Sequence, residues 1–191
     1  YADEVEQLAI DRAKELWGAE HVNVQPHAGS QANMAVYVGL LDSGDKILSL
    51  DLTHGAHLSH GHPQNFAGQV YDVEQYRVDE ETGRIDFEAV RDHAEAFDPD
   101  LIISGFSAYP REVDWEAFQA IADDVDALHM ADIAHITGLV AAGVHDSPVG
   151  VADVVTGSTH KTIRSGRGGI IMADQEYAKQ LDTAIIPGTQ G

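Results

Sequence analysis

With 191 residues and a 43% hydrophobic fraction, the chain is long enough for one domain with a sizeable core. Its net charge of -21, from 32 acidic against 11 basic side chains, argues against nucleic acid as a partner, because phosphate contacts need clustered Lys and Arg. The absence of cysteine removes disulfide and thiolate chemistry, and no run approaches the roughly 20 apolar residues of a membrane helix, so a cytoplasmic protein with no membrane partner is expected.

Asp and Glu are spread evenly along the chain instead of forming a tail, and lysine is scarce. That pattern predicts adaptation to high salt, where screening removes most of the self-repulsion. A melting temperature that rises in molar salt is the expected outcome of a thermal scan with and without added salt. A flat response would overturn the prediction.

The first segment, "YADEVEQLAIDRAKELW", is acidic and amphipathic and predicts a helix over 2–17. It has neither the charged start nor the apolar middle of a signal peptide, and no initial Met, as expected of a fragment or a trimmed product. In "PHAGSQANMAVYVGLL" (26–41), Gly29 and Ser30 stand where a helix over 30–41 should begin. Backbone N–H groups and the helix dipole favour a phosphate there, and plain capping by Ser30 is the alternative. A strand is predicted over "KILSLD" (46–51).

Next comes "THGAHLSHGH", with His54, His57, His60 and His62. The spacing matches no strong zinc motif, and no cysteine helps. Loop and core histidines, a metal site, and an imidazole lying flat on an aromatic cofactor all stay open. Then follow a strand over "VYDVEQYRV" (70–78) and a helix over 86–97, whose Phe87, Val90, Ala94 and Phe97 share one face. Further strands are predicted over "DLIISG" (100–105), "LHMAD" (128–132), "DVVTGS" (153–158) and "GGIIMA" (168–173), with helices over 114–125 and 174–183. Asp86 and Asp114 are placed as N-caps.

This alternation predicts an α/β fold with three layers, α/β/α, around a mostly parallel central sheet. In such sheets ligands bind past the carboxyl ends of strands, which selects Asp51, Ser104–Ser107, Asp132 and the 157–161 turn. Lys161, in "ADVVTGSTHKTIRSGRGGIIMA" (152–173), is one of four lysines. It is not a P-loop lysine, since Val155 and His160 occupy the glycine positions, and no G-x-S-x-G or G-x-G-x-x-G is present. It is either a solvated loop lysine or a nucleophilic amine with a lowered pKa. Asp132 in "MADIAH" is either a surface residue at a strand end or the partner of a pyridinium nitrogen in pyridoxal phosphate.

Taken together, "NVQPHAGSQAN", "LTHGAHLSHG", "GFSAYPREVDW", "DIAHITGLVAAG", "THKTIRSGRGG" and "IIPGTQG" resemble the serine hydroxymethyltransferases, pyridoxal-phosphate enzymes of fold type I. The resemblance runs in order over essentially the whole chain. It implies that Lys161 carries the cofactor, that Asp132 pairs with its ring nitrogen, and that His57 stacks on the ring. Ser107 and His135 resemble residues near the phenolic oxygen. Gly29, Ser30 and His160 resemble phosphate contacts, with His160 also influencing specificity. The implied catalytic set is therefore Lys161, Asp132, His57, His135 and His160. Leu52, Ala56, His57 and Leu58 resemble part of a folate site, and Arg167 is a motif arginine without an assigned role.

The reaction implied is reversible interconversion of serine and glycine with tetrahydrofolate as co-substrate and one-carbon carrier. Gly157, Ser158 and Gly166 depart mildly from the family's usual residues. The family's length implies that residues 1–191 are most of a cofactor-binding large domain, without the N-terminal arm and the C-terminal small domain. It also implies a homodimer with a shared site, in which Gly191 lies by the partner's phosphate. A threonine-type aldolase of the same fold type, and a metal-binding protein using His54, His57, His60 and His62, are the alternatives.

Overall fold

The computed structural model describes residues 1–191. In chain order it contains α1 (Ala2–Trp17), β1 (His21–Asn23), α2 (Gly29–Leu40), β2 (Lys46–Leu50), α3 (Phe66–Val70) and β3 (Asp72–Tyr76). These are followed by α4 (Phe87–Phe97), β4 (Leu101–Ser104), α5 (Trp115–Asp124), β5 (Leu128–Asp132), α6 (Thr137–Ala141), β6 (Val154–Ser158), β7 (Gly169–Ala173) and α7 (Ala178–Thr183).

The strands form one seven-stranded sheet in the order β1-β7-β6-β5-β4-β2-β3. The pairs from β3 through β6 are parallel, and β7 runs antiparallel to both of its neighbours. Alternate strand residues enter opposite cores, as the period of two requires. Leu48, Ile102, Ala131, Val155 and Met172 pack with α1, α4, α5 and α6 on one face. Ile47, Leu101, Ile103, Met130, Val154 and Ile171 pack with α2, α3 and α7 on the other. This is the predicted three-layer arrangement, and burial on both faces explains why these strands are nearly continuous apolar runs.

Asp86 accepts from the Glu88 and Ala89 N–H groups at 3.0 and 3.2 Å, and Asp114 accepts from the Ala117 N–H at 2.9 Å, so both serve as the expected caps. The strand predicted over 70–78 is shorter. Asn65 accepts from the Ala67 N–H and starts α3, so Val70 ends a helix and the strand begins at Asp72. The three-residue β1 and the five-residue α3 and α6 are too short to produce a readable period. The last predicted helix opens with a single 3-10 turn over Gln175–Tyr177 before α7.

Gly105 closes β4 with φ 88°, and a Cβ there would overlap the Asp132 carbonyl oxygen. Only glycine combines that conformation with such an approach. Gly105→Ala is expected to cost about 2 kcal/mol or more of stability, read as a lowered denaturation midpoint.

Candidate active site

The carboxyl ends of β5 and β6 and the first turn of α2 converge on one edge of the sheet. There Gly29, Ser30, His57, His160 and Lys161 line a cavity of about 150 Å³, together with Arg167. A larger hollow of about 340 Å³ lies at the opposite edge beside Gly18 and Gly150, and one of about 490 Å³ lies between α1 and β1. Neither brings a buried carboxylate and an unpaired amine together. Volume alone is therefore a poorer guide here than the strand ends.

One end of the cavity is built for an anion. Ser30 does not cap α2: the N-cap is Ala28, with extended backbone and no side-chain hydrogen bond. The Gly29 and Ser30 N–H groups have no partner within the chain, and the helix dipole points their positive end into the cavity. His160 Nδ1 is buried and equally without a partner. Lys161 and Arg167 add positive charge, and no carboxylate lines the cavity of this strongly acidic chain.

Asp132 approaches from beneath, at the end of β5, and is 7% exposed. Three donors converge on it: Asn33 Nδ2 at 2.8 Å, His60 Nε2 at 2.8 Å, and the Ala134 N–H at 2.9 Å. Burial by itself raises the pKa of such a carboxyl. Here the His60 bond, followed by those from Asn33 and the Ala134 N–H, overcomes burial and holds Asp132 well below the usual carboxylate range. A buried carboxylate that stays ionised at neutral pH, at a strand end, suits the partner of a cationic ring nitrogen.

Lys161 is half-buried, and its Nζ makes no hydrogen bond or ion pair within the chain. Burial lowers its pKa, and the field of Asp132 partly offsets this. A lowered value gives more free amine near neutrality, which is the nucleophilic form. The turn that presents it is pinned by Thr162, whose hydroxyl accepts from the Gly138 N–H at 2.9 Å and donates to the His135 carbonyl at 3.2 Å. A Cβ on Gly138 would stand 2.5 Å from the Thr162 carbonyl oxygen, so α6 seats against this turn only because position 138 is glycine.

His57 lines the cavity, and burial, then the neighbouring His60, lower its pKa. His135 is exposed beside it, its pKa lowered by partial burial and then by Lys161. The Ser107 Oγ is buried without a partner, and the Ser107 N–H donates to the Gly55 carbonyl at 2.8 Å, tying that loop to the His57 loop. Leu52 and Leu58 are exposed, whereas Ala56 is packed into the core. Gly191 is exposed and does not line the cavity.

Two strand-end candidates are committed elsewhere. Asp51 accepts from Thr53 and pairs with Arg77, and the fully buried Ser104 bonds to His129 at 2.6 Å. The four histidines of 54–62 do not gather as ligands: His57 is held by Ser59, His60 by Asp132, and no three His, Asp or Glu side chains converge. Asn33, Ser59, Thr156 and Ala134 escaped the sequence reading. The available signal was Asn33, an amide at the edge of the apolar run of α2.

The unpartnered amides, the buried Nδ1 of His160, the free lysine amine and the ionised Asp132 fit pyridoxal phosphate, which carries a phosphate, an aldehyde and a ring nitrogen. The comparisons agree. The family model "Serine hydroxymethyltransferase" matches residues 1–191. A serine hydroxymethyltransferase of Haloarcula marismortui is 77% identical over 191 residues, covering 100% of this chain and 46% of that protein. That of Halobacterium salinarum is 74% identical with the same coverage, and that of a Synechococcus species is 58% identical, with 100% and 44% covered. The chain thus spans about half the length of the curated relatives it matches. The halophilic sources of the first two accord with the acidic composition.

Proposed function

We infer the function from one premise: the chain belongs to the serine hydroxymethyltransferase family, whose model matches it from end to end. The protein interconverts serine and glycine, with tetrahydrofolate as one-carbon carrier and pyridoxal phosphate as cofactor. The observation that carries this reading is the single cavity that joins an uncapped helix N-terminus, an unpaired lysine amine and, beneath it, a buried ionised aspartate. The Gly29 and Ser30 amides with His160 would hold the phosphate, Lys161 the aldehyde, Asp132 the ring nitrogen, and His57 one ring face. When bound, the cofactor supplies an electron sink for negative charge developing at the substrate Cα.

Each residue's task follows from its surroundings. Asp132 cannot take up the proton at neutral pH, so a proton between it and the ring stays on the ring. Lys161, whose amine has no partner in the chain, would hold the aldehyde, and its lowered pKa would favour the free amine that binds it. His135 and Ser107 stand ready to bond an oxygen on the ring's edge. The exposed side chains of Leu52 and Leu58 offer an apolar seat for the folate, beside Ala56 and His57.

Three wider parts of the reading rest on the family. The chain is most of the cofactor-binding large domain, and an N-terminal arm and a small domain complete the substrate contacts. The protein is a cytoplasmic homodimer in which Gly191 reaches the partner's phosphate site. No helix is long and apolar enough to cross a membrane.

Serine cleavage assayed with and without tetrahydrofolate tests the function. Glycine formation that depends on the folate is expected, and folate-independent cleavage would favour an aldolase instead.

A further inference from the structure

Asn33 belongs to no group assigned above, yet its amide touches Asp132 directly and reaches His57 through Ser59. Its Nδ2 donates to Asp132 at 2.8 Å and to Ser59 Oγ at 2.9 Å, while its Oδ1 accepts from Thr156 Oγ at 2.6 Å. The orientation is dictated by charge: an ionised carboxylate accepts only, so the NH2 end must face Asp132 and the oxygen must face Thr156. Asn33 is 1% exposed, so none of these bonds can be exchanged for water.

The consequences propagate. Ser59 Oγ accepts from Asn33, which occupies one lone pair, and its proton faces His57 Nδ1 at 2.7 Å, a nitrogen made an acceptor by a backbone bond. The Ser59 N–H also points at that nitrogen, at 3.1 Å. A ring nitrogen facing two donors is unprotonated, which leaves the His57 proton on Nε2. His60 is set likewise: its Nδ1 accepts the His57 N–H at 3.3 Å, so its Nε2–H donates to Asp132.

We propose that Asn33 is a positioning residue that, with Ser59 as relay, fixes together the charge of Asp132 and the neutral, Nε2-protonated form of His57. The proposal rests on the cofactor reading for its purpose but on these hydrogen bonds for its existence. The charged and titratable groups around His57 are His60, Asp132, Lys161 and His135, with His160 and Arg167 lining the same cavity. None of them donates to Nδ1, so the preference falls to Ser59.

The test uses Asn33→Ala and Ser59→Ala in the intact protein. Imidazole nitrogens are followed by 15N NMR against pH without cofactor, and pyridoxal phosphate affinity is measured by absorbance titration. The His57 midpoint should move up in both variants, because a donor that favours the neutral ring is lost or no longer directed. Asn33→Ala should also weaken cofactor binding about tenfold or more, the scale of one buried hydrogen bond to a charge. An unmoved His57 midpoint in folded variants would overturn the proposal. Should Asn33→Ala fail to fold, Ser59→Ala decides, since it removes one hydroxyl and little volume. If the unaltered protein binds no pyridoxal phosphate, the functional reading falls, while the NMR result still judges the network.

Discussion

Lys161→Ala is expected to lower turnover by about three orders of magnitude or more and to abolish the lysine adduct fixed by borohydride in the presence of pyridoxal phosphate. Stability should hardly change. Lys161 Nζ bonds to nothing in the chain, so its removal orphans no buried group and relieves the cost of half-burying a charge. Lys161→Arg separates two roles: it keeps the positive charge in the cavity but cannot act as an amine nucleophile at any accessible pH. It should therefore retain affinity for the phosphate while losing the adduct and the turnover. Reduction followed by peptide mass mapping reads the adduct directly. An adduct on Lys14, Lys46 or Lys179 in the unaltered protein would defeat the assignment.

The second large effect is expected at Asp132. Three donors converge on its carboxylate, from Asn33, His60 and the Ala134 N–H. Asp132→Asn supplies one acceptor oxygen and an NH2 group that opposes at least one of those donors. The stability cost is about 1–3 kcal/mol for each buried donor left unpaired. Turnover should fall by about a hundredfold or more, since the anion that would hold a proton on the ring nitrogen is gone. Denaturant midpoints and steady-state rates read the two effects separately.

The pH dependence of this site has a definite sign. The folded pKa of Asp132 is depressed, so its contribution is fully present above the unfolded carboxylate value near about 4. It is lost as pH falls from there through the folded value. The difference in stability between the unaltered protein and Asp132→Asn should thus be constant near neutrality and shrink in acid. A difference that grew on acidification would contradict the depressed pKa.

Much of this site could be seen without coordinates because the fold class places strand ends in one line. Asp132 and Lys161 follow apolar runs that become β5 and β6, and parallel neighbours deliver their carboxyl ends to the same edge. Asp51 and Ser104 satisfy the same rule and fail. What disqualifies them is their partners: Arg77 for the one and His129 for the other come from distant parts of the chain, and Thr53 adds a local bond to Asp51. Ser30 left two readings open in the sequence, a phosphate contact and a cap. The helix begins one residue earlier, so Ser30 lies inside it with its amide free and does not cap.

By itself, the sequence determined the layered α/β architecture and the acidic composition, and it singled out the lysine, aspartate and glycine-serine turn as candidates, because periodicity and motif order are local properties of the chain. Only the tertiary structure decided which polar groups are spent on one another. Asn33 and Asp132 are 99 residues apart, and Asn33 and Thr156 are 123 apart, yet each pair is bonded within the buried centre. Hydrogen-bond partnership across such separations depends on how the layers stack, so the bonds that hold Asp132 ionised against its burial, and those that place the proton on His57, exist only once the layers have stacked.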